Sequence, residues 1–350
     1  MIKKIGLSAA LVSVLALTHA NAADNPRETH LKNIVKLTDG GDNGEAYWSA
    51  DGKKLIFQSS REGRSCDRIW TMNADGSDKL MVSPDKGANT CSFFFPDGKK
   101  IIYASTSAMP GDCPERIKIP GQNYVWPLWP YDIYVADRDG RNPVKITDNP
   151  EYDAEAVPNL DGSRVVFGSK REGNFDVYTM NPDGSDVKRL TSEYGYNGGP
   201  WWSPDGKRIA YRAWHPDTPE GKALWADCMA KNYIIPVPLD IFVMNADGSG
   251  KTRLTQNGAV NWAPSWHPDG KRIVFSSNMD DWREDSKRFG HNFELYLISA
   301  DGTGLTRLTY NDNFDSFPMF SPDGRKLVFG SNRTPERPRQ TDIFVCDYNE

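Results

Sequence analysis

Residues 239–255 read LDIFVMNADGSGKTRLT, and residues 341–350 read TDIFVCDYNE. Both open on an apolar alternation with the period of a β-strand. The first runs on through a turn into another short strand, whereas the second stops where that turn is due. Whether the missing strand comes from elsewhere decides the fold.

The surrounding sequence is built on one phrase, in WSADGKKLIFQSS (48–60), FFPDGKKIIYAST (94–106), PNLDGSRVVFGSK (158–170), WSPDGKRIAYRAW (202–214), WHPDGKRIVFSSN (266–278) and FSPDGRKLVFGSN (320–332). Its Asp-Gly steps fall at Asp51, Asp97, Asp161, Asp205, Asp269 and Asp323, at uneven intervals of 46, 64, 44, 64 and 54 residues. A second Asp-Gly set, at Asp75, Asp139, Asp183, Asp247 and Asp301, explains the unevenness. Each of its members precedes the next first-set aspartate by 22 residues. One half of the repeat is therefore constant in length, and the other half carries insertions.

Each repeat reads as four short strands joined by turns in which glycine supplies a positive φ. A unit of this kind cannot bury both faces alone, so the units stack radially as blades. Trp48, Phe94, Trp202, Trp266 and Phe320 recur three residues before Asp-Gly and are assigned to packing between blades, with Pro158 in that place in the third. The fold expected is all-β, a six-bladed propeller of four-stranded antiparallel blades. The last blade has three strands, and THLKNIVKLTDGG (29–41) matches the missing fourth, with Leu37-Thr38 in the place of Leu254-Thr255. The N-terminal strand is thus expected to complete the last blade, which leaves it no open edge.

SPDGKRIAY, DIFVMNADGSGKTRLT and their relatives resemble the WD-like β-propeller repeats of the TolB family over residues 29–350. The resemblance implies the propeller fold and says less about function, because propellers serve many roles. TolB also has an N-terminal α/β domain ahead of its propeller; with residues 23–28 alone before the first strand, no such domain is expected here.

The N-terminus carries Lys3 and Lys4, an apolar run over residues 5–17 and Ala20-Asn21-Ala22, the pattern of a secretory signal peptide with cleavage after residue 22. The expected mature chain, 23–350, is one propeller domain, exported to the periplasm and without a transmembrane segment. The full sequence has 47 acidic and 42 basic residues; loss of the two leader lysines takes the net charge from −5 to −7. An acidic chain without a Lys/Arg cluster excludes nucleic acid as a partner.

All the long insertions fall between second and third strands, and so on one face of the disc. They span residues 107–130, 214–239 and 279–292, the second with Thr218 and Pro219 placed to begin a short helix. Tyr124, Trp126, Trp129, Trp214, Trp225 and Trp282 lie in them. These rings either pack the insertions together or line a binding surface. Eight residues before each first-set aspartate stand Asn43, Asn89, Asp153, Asn197, Asn261 and Asp315, with Glu45 and Glu155 two residues beyond the first and third. Such a ring either caps the strand entries or offers oxygens to a polar ligand or to calcium, although no EF-hand spacing is present. No other cofactor and no metal ligand set is expected.

Arg61, Arg171 and Arg333 follow the aspartates by ten residues, suited to pairing with carboxylates or with an anionic substrate. His215 and His291 lie in insertions on the same face. No catalytic motif is assembled. The function expected is therefore a non-enzymatic, monomeric binding module that engages an envelope protein or a carbohydrate or peptide ligand through the insertion face. The alternative is a lyase or hydrolase acting on an oligosaccharide or peptide at the channel mouth, with Arg61, Arg171, His215 and His291 converging there; oligogalacturonate lyases are similar propellers. Of five cysteines, Cys66 and Cys91 are expected to pair, Cys113 and Cys228 form the candidate second pair, and Cys346 is left as a buried thiol.

Overall fold

The computed structural model describes residues 25–350 apart from 123, 284, 286, 287, 336, 338 and 339. The expected signal peptide lies outside the described residues. Six four-stranded antiparallel sheets form among them. Their inner strands are Asn43–Trp48, Asn89–Phe94, Asp153–Pro158, Tyr196–Trp202, Asn261–Trp266 and Asp315–Phe320. Each touches the next and the last touches the first, so the blades close into a ring. Blade four runs outward through Tyr196–Trp202, Arg208–Trp214, Asp240–Asn245 and Thr252–Arg253. The recurring Asp-Gly step has a local cause. At Gly206 φ is +67°, and its N–H donates to Ser203 O at 2.9 Å while Ser203 Oγ donates to Asp205 Oδ1 at 2.6 Å.

Blade six is completed from the other end of the chain. Leu31–Lys36 lies antiparallel to Asp342–Tyr348, with Leu31 opposite Tyr348 and Lys36 opposite Phe344. Leu31, Ile34 and Leu37 are buried in the process. The strand takes its place by the same chemistry as the other fourth strands. Thr255 Oγ donates to Asp240 Oδ1 at 2.8 Å and accepts the Ile241 N–H; Thr38 does the same with Asp342 at 2.8 Å and the Ile343 N–H. Thr147, Thr191 and Thr309 repeat the tie with Asp132, Asp176 and Glu294. Blade one departs from it. There Arg68 replaces the acid, fully buried, and Ser83 accepts the Ile69 N–H.

The aromatics before Asp-Gly lie between blades, as expected. Trp48, Trp202 and Trp266 are buried and donate their indole N–H to the carbonyls of Met319, Val157 and Trp201 on the preceding blade. A ring that fills volume and also satisfies a neighbour's carbonyl fixes the stacking as well as stabilising it.

Candidate functional site

The insertions form a roof over one end of the central channel. Trp126–Pro127 of the blade-two insertion pairs as a short ribbon with Tyr233–Ile234 of the blade-four insertion. Between them in sequence lies the helix Pro219–Ala230, capped by Thr218, whose hydroxyl accepts the Gly221 N–H. Its Trp225 is buried and donates to Asn174 Oδ1 at 2.9 Å. Trp126 packs against Tyr152, Phe175, Tyr196 and Trp262, and Trp214 meets Trp225 edge-on. Trp129 donates to Glu115 O at 3.2 Å. These four tryptophans hold the roof together. Tyr124 and Trp282 remain open, 54% and 49% exposed.

The disulfide differs from both expected pairings. Cys66 is bonded to Cys113, and Cys91 and Cys228 are buried free thiols, as is Cys346. The cause is the path of the blade-two insertion, which folds back over blade one. Asp112 receives the Gly87 N–H at 2.6 Å and the Arg68 guanidinium at 2.8 Å, which sets Cys113 on Cys66. Cys91 sits on an inner strand and faces the channel, while Cys228 is buried in the helix beside Trp225 and Met229.

The Asn/Asp ring is a set of staples between strands rather than an open lining. All six side chains are buried. Asn43 donates to Asp342 Oδ1 of blade six and accepts from Ser59 Oγ; Asn197 donates to Asp176 Oδ1 of blade three. Asn89 and Asn261 donate to the Gly87 and Leu239 carbonyls. Asp153 and Asp315 accept from Ser169 and Ser331 and are paired with Arg171 and Arg333, each at about 2.9 Å or less. Arg333 also reaches buried Glu28. Arg61 donates to Asp39 O and lies over Trp70. His215 Nε2 is 2.8 Å from Asn197 Oδ1, and burial lowers its proton affinity. His291 lies in the blade-five insertion. Arg171, His215 and Arg61 are thus committed to different blades, and the expected convergence over the channel is not what the structure shows. Among the described residues no group of three His, Cys, Asp or Glu side chains is gathered to hold a metal.

What does converge there is a second ring. Every inner strand is bulged, and its third residue beyond the staple aspartate or asparagine, counted inclusively, has a positive φ: Glu45 (49°), Cys91 (51°), Glu155 (58°), Gly199 (58°), Ala263 (50°) and Phe317 (54°). Deeper by two residues, Tyr47 stacks on Phe93 at 4.4 Å and Trp201 stands edge-on to both. Blades one and four therefore touch across the axis, and the channel is filled at that depth. Above this floor Arg212 reaches in from the second strand of blade four. It donates to Glu155 Oε1 at 2.5 Å and to Tyr196 Oη at 3.0 Å, with its Cζ 3.8 Å from the Trp262 ring centroid. Gly199 N–H completes the Glu155 carboxylate at 2.8 Å, and a Cβ on Gly199 would come within 2.4 Å of the guanidinium.

Among the described residues no guanidinium is bonded to Glu45, whose neighbour is the Cys91 thiol. Burial pushes its carboxyl up to about 7, the Cys91 thiol beside it pulls the other way, and the Glu155 charge adds to the rise. On the blade-one side, Gln58 accepts from Thr90 Oγ and the Cys91 N–H and donates to Asp67, itself held at about 6 by burial. Tyr124 leans over this cluster from the roof. Burial of its phenol end and the Glu45 charge raise it to about 12. The result is a recess with two channel carboxyls and one guanidinium, the latter already bonded to Glu155.

Residues 130–217 match the family model described as TolB beta propeller domain. The chain is 28% identical over 186 residues to the TolB homolog of Chlorobium luteolum, a match covering 53% of this chain and 34% of that protein. It spans about half or less of the length of the curated relatives it matches. In fold it is similar to TolB from Acinetobacter baumannii, with a TM-score of 0.56 and 18% identity over 89% of this chain and 64% of that one. An oligogalacturonate lyase from Vibrio parahaemolyticus is also similar, with a TM-score of 0.53 and 12% identity over 91% of this chain and 94% of that one. These two likenesses concern the fold alone.

Proposed function

We propose that this TolB-like β-propeller is a periplasmic binding module that takes its ligand at the roofed mouth of the channel, on the insertion face. The observation that carries this reading is Glu45, a channel acid whose neighbouring guanidinium, Arg212, is bonded to Glu155, with the half-exposed Tyr124 ring above it. A partner that offers a donor to the acid and an apolar or planar surface to the ring fits best. Lysine or arginine on an envelope-protein loop has that chemistry, and so does a sugar hydroxyl beside a pyranose face.

The test is thermal shift of the mature chain against Lys- and Arg-containing peptides, neutral oligosaccharides and calcium. A ligand at about a hundred times its Kd stabilises by about 2.7 kcal/mol. The expected result is a shift with a peptide or sugar that is lost in Glu45→Gln and reduced in Tyr124→Ala. A shift retained in both variants contradicts the site. A second reading, a lyase or hydrolase at the same mouth, draws support from the same carboxyl, because an acid near neutral pH suits proton transfer. Release of product from the same panel, abolished in Glu45→Gln, would favour it over binding alone.

A further inference from the structure

At the seam between the closing strand and blade one lies a cavity of about 290 Å³, away from the channel floor. Arg61, Trp70 and Lys79 line it, with Asp39 and Gly41 from the segment that leads from the closing strand into blade one. Two of its donors have no acceptor among the described residues. Trp70, 5% exposed, has a buried indole N–H without an acceptor, and Arg61 Nη1 is likewise buried and unmatched. The other guanidinium nitrogen of Arg61 is anchored on Asp39 O. Lys79, which donates to Gly76 O, brings a second cation; burial and then the Arg61 charge lower its proton affinity. Two acids also line it, Asp39, 3.7 Å from Lys36, and Glu62, bonded to Arg64 at 2.8 Å, and both act on Arg61 from the rim without accepting from Nη1. Buried donors almost always have acceptors, and an indole N–H and a guanidinium N–H left over in one cavity are both suited to an oxyanion.

We propose that this seam cavity binds an oxyanion, the phosphate or carboxylate group of a small ligand, held by Arg61 Nη1, Trp70 Nε1 and Lys79. A bound anion relieves the repulsion between the two cations and ties the Asp39–Gly41 segment to blade one, so occupancy also strengthens ring closure. The experiment is isothermal titration of the full mature chain with inorganic phosphate and, separately, acetate, at constant ionic strength balanced with chloride. Saturable binding is expected, weakened at least fivefold in Lys79→Gln and in Trp70→Phe, which keeps an aromatic ring in place and removes the donor with the pyrrole part of the indole. Binding of phosphate alone identifies a phosphate ester as the ligand class; binding of acetate as well identifies a carboxylate. Lys79 is exposed, so its variant folds even if Trp70→Phe does not. Glu45→Gln binds these anions as the unmodified chain does, which separates this site from the channel. No saturable binding of either anion, or equal binding by the unmodified chain and Lys79→Gln, overturns the proposal.

Discussion

Glu45 holds a backbone conformation, φ +49°, that non-glycine residues seldom adopt, and it does so with its carboxyl away from bulk water. Both features cost stability, the first about 1 kcal/mol or more. The second is readable as a pH dependence. The folded-state value near 7 lies above the ordinary 4.5, so the folded chain keeps a proton that the unfolded chain releases. That contribution is full below about pH 4.5 and is lost as pH rises through about 7. Glutamine has no proton to lose. In urea unfolding, Glu45→Gln and the unmodified chain should match near pH 4.5, and at pH 8 the variant should be more stable by about 1–3 kcal/mol. A difference that stays constant with pH would place Glu45 outside the recess described above. Glu45 and Glu155 were legible because they follow the staple residues at a fixed offset. Arg212 was not singled out, yet it has a sequence signal. Seven residues after the first-set aspartates stand Gln58, Ala104, Gly168, Arg212, Ser276 and Gly330, two long polar side chains among four small ones. The guanidinium passes the bulge of the adjacent inner strand, where Gly199 leaves room for it, and a plain alternation of strand residues does not foretell a bulge.

At the scale of the element, the closing strand Leu31–Lys36 shields the edge of Asp342–Tyr348 and buries three aliphatic side chains with Leu37. Each is worth about 1.5–3 kcal/mol when buried. Removing residues 25–38 should therefore lower the melting temperature and bring concentration-dependent aggregation through the exposed edge. Melting that matches the full mature chain contradicts closure by this strand. The element was legible because Leu37-Thr38 repeats Leu254-Thr255, and the threonine does the same work at both places. The insertions were legible only as insertions. Their ribbon of Trp126–Pro127 with Tyr233–Ile234 joins segments more than a hundred residues apart through two residues each, too short a signal for any periodicity. The cysteine pairing failed for the same reason. Asp112 draws the blade-two insertion over blade one through Arg68 and Gly87, a tertiary contact that spacing does not encode.

At the scale of the molecule, six bulged inner strands set five side chains and the backbone of Gly199 around one axis. An aromatic floor closes the channel below them, and two linked insertions cover it above. Such an assembly offers a recess at one face, with the rings of blades one, two and four in contact beneath it. The repeats dictate the ring and the face that bears the insertions, whereas the contents of the recess depend on the few positions where the blades differ. The central claim is that ligands bind at this mouth, and differential hydrogen exchange tests it most directly. The mature chain is compared with and without the peptide or oligosaccharide that gives the largest thermal shift. Protection is expected in residues 43–48, 89–94, 107–130 and 214–239, with the Asp-Gly turns at 51–52, 205–206 and 269–270 unchanged. Protection confined to those turns, on the opposite face of the disc, would contradict it.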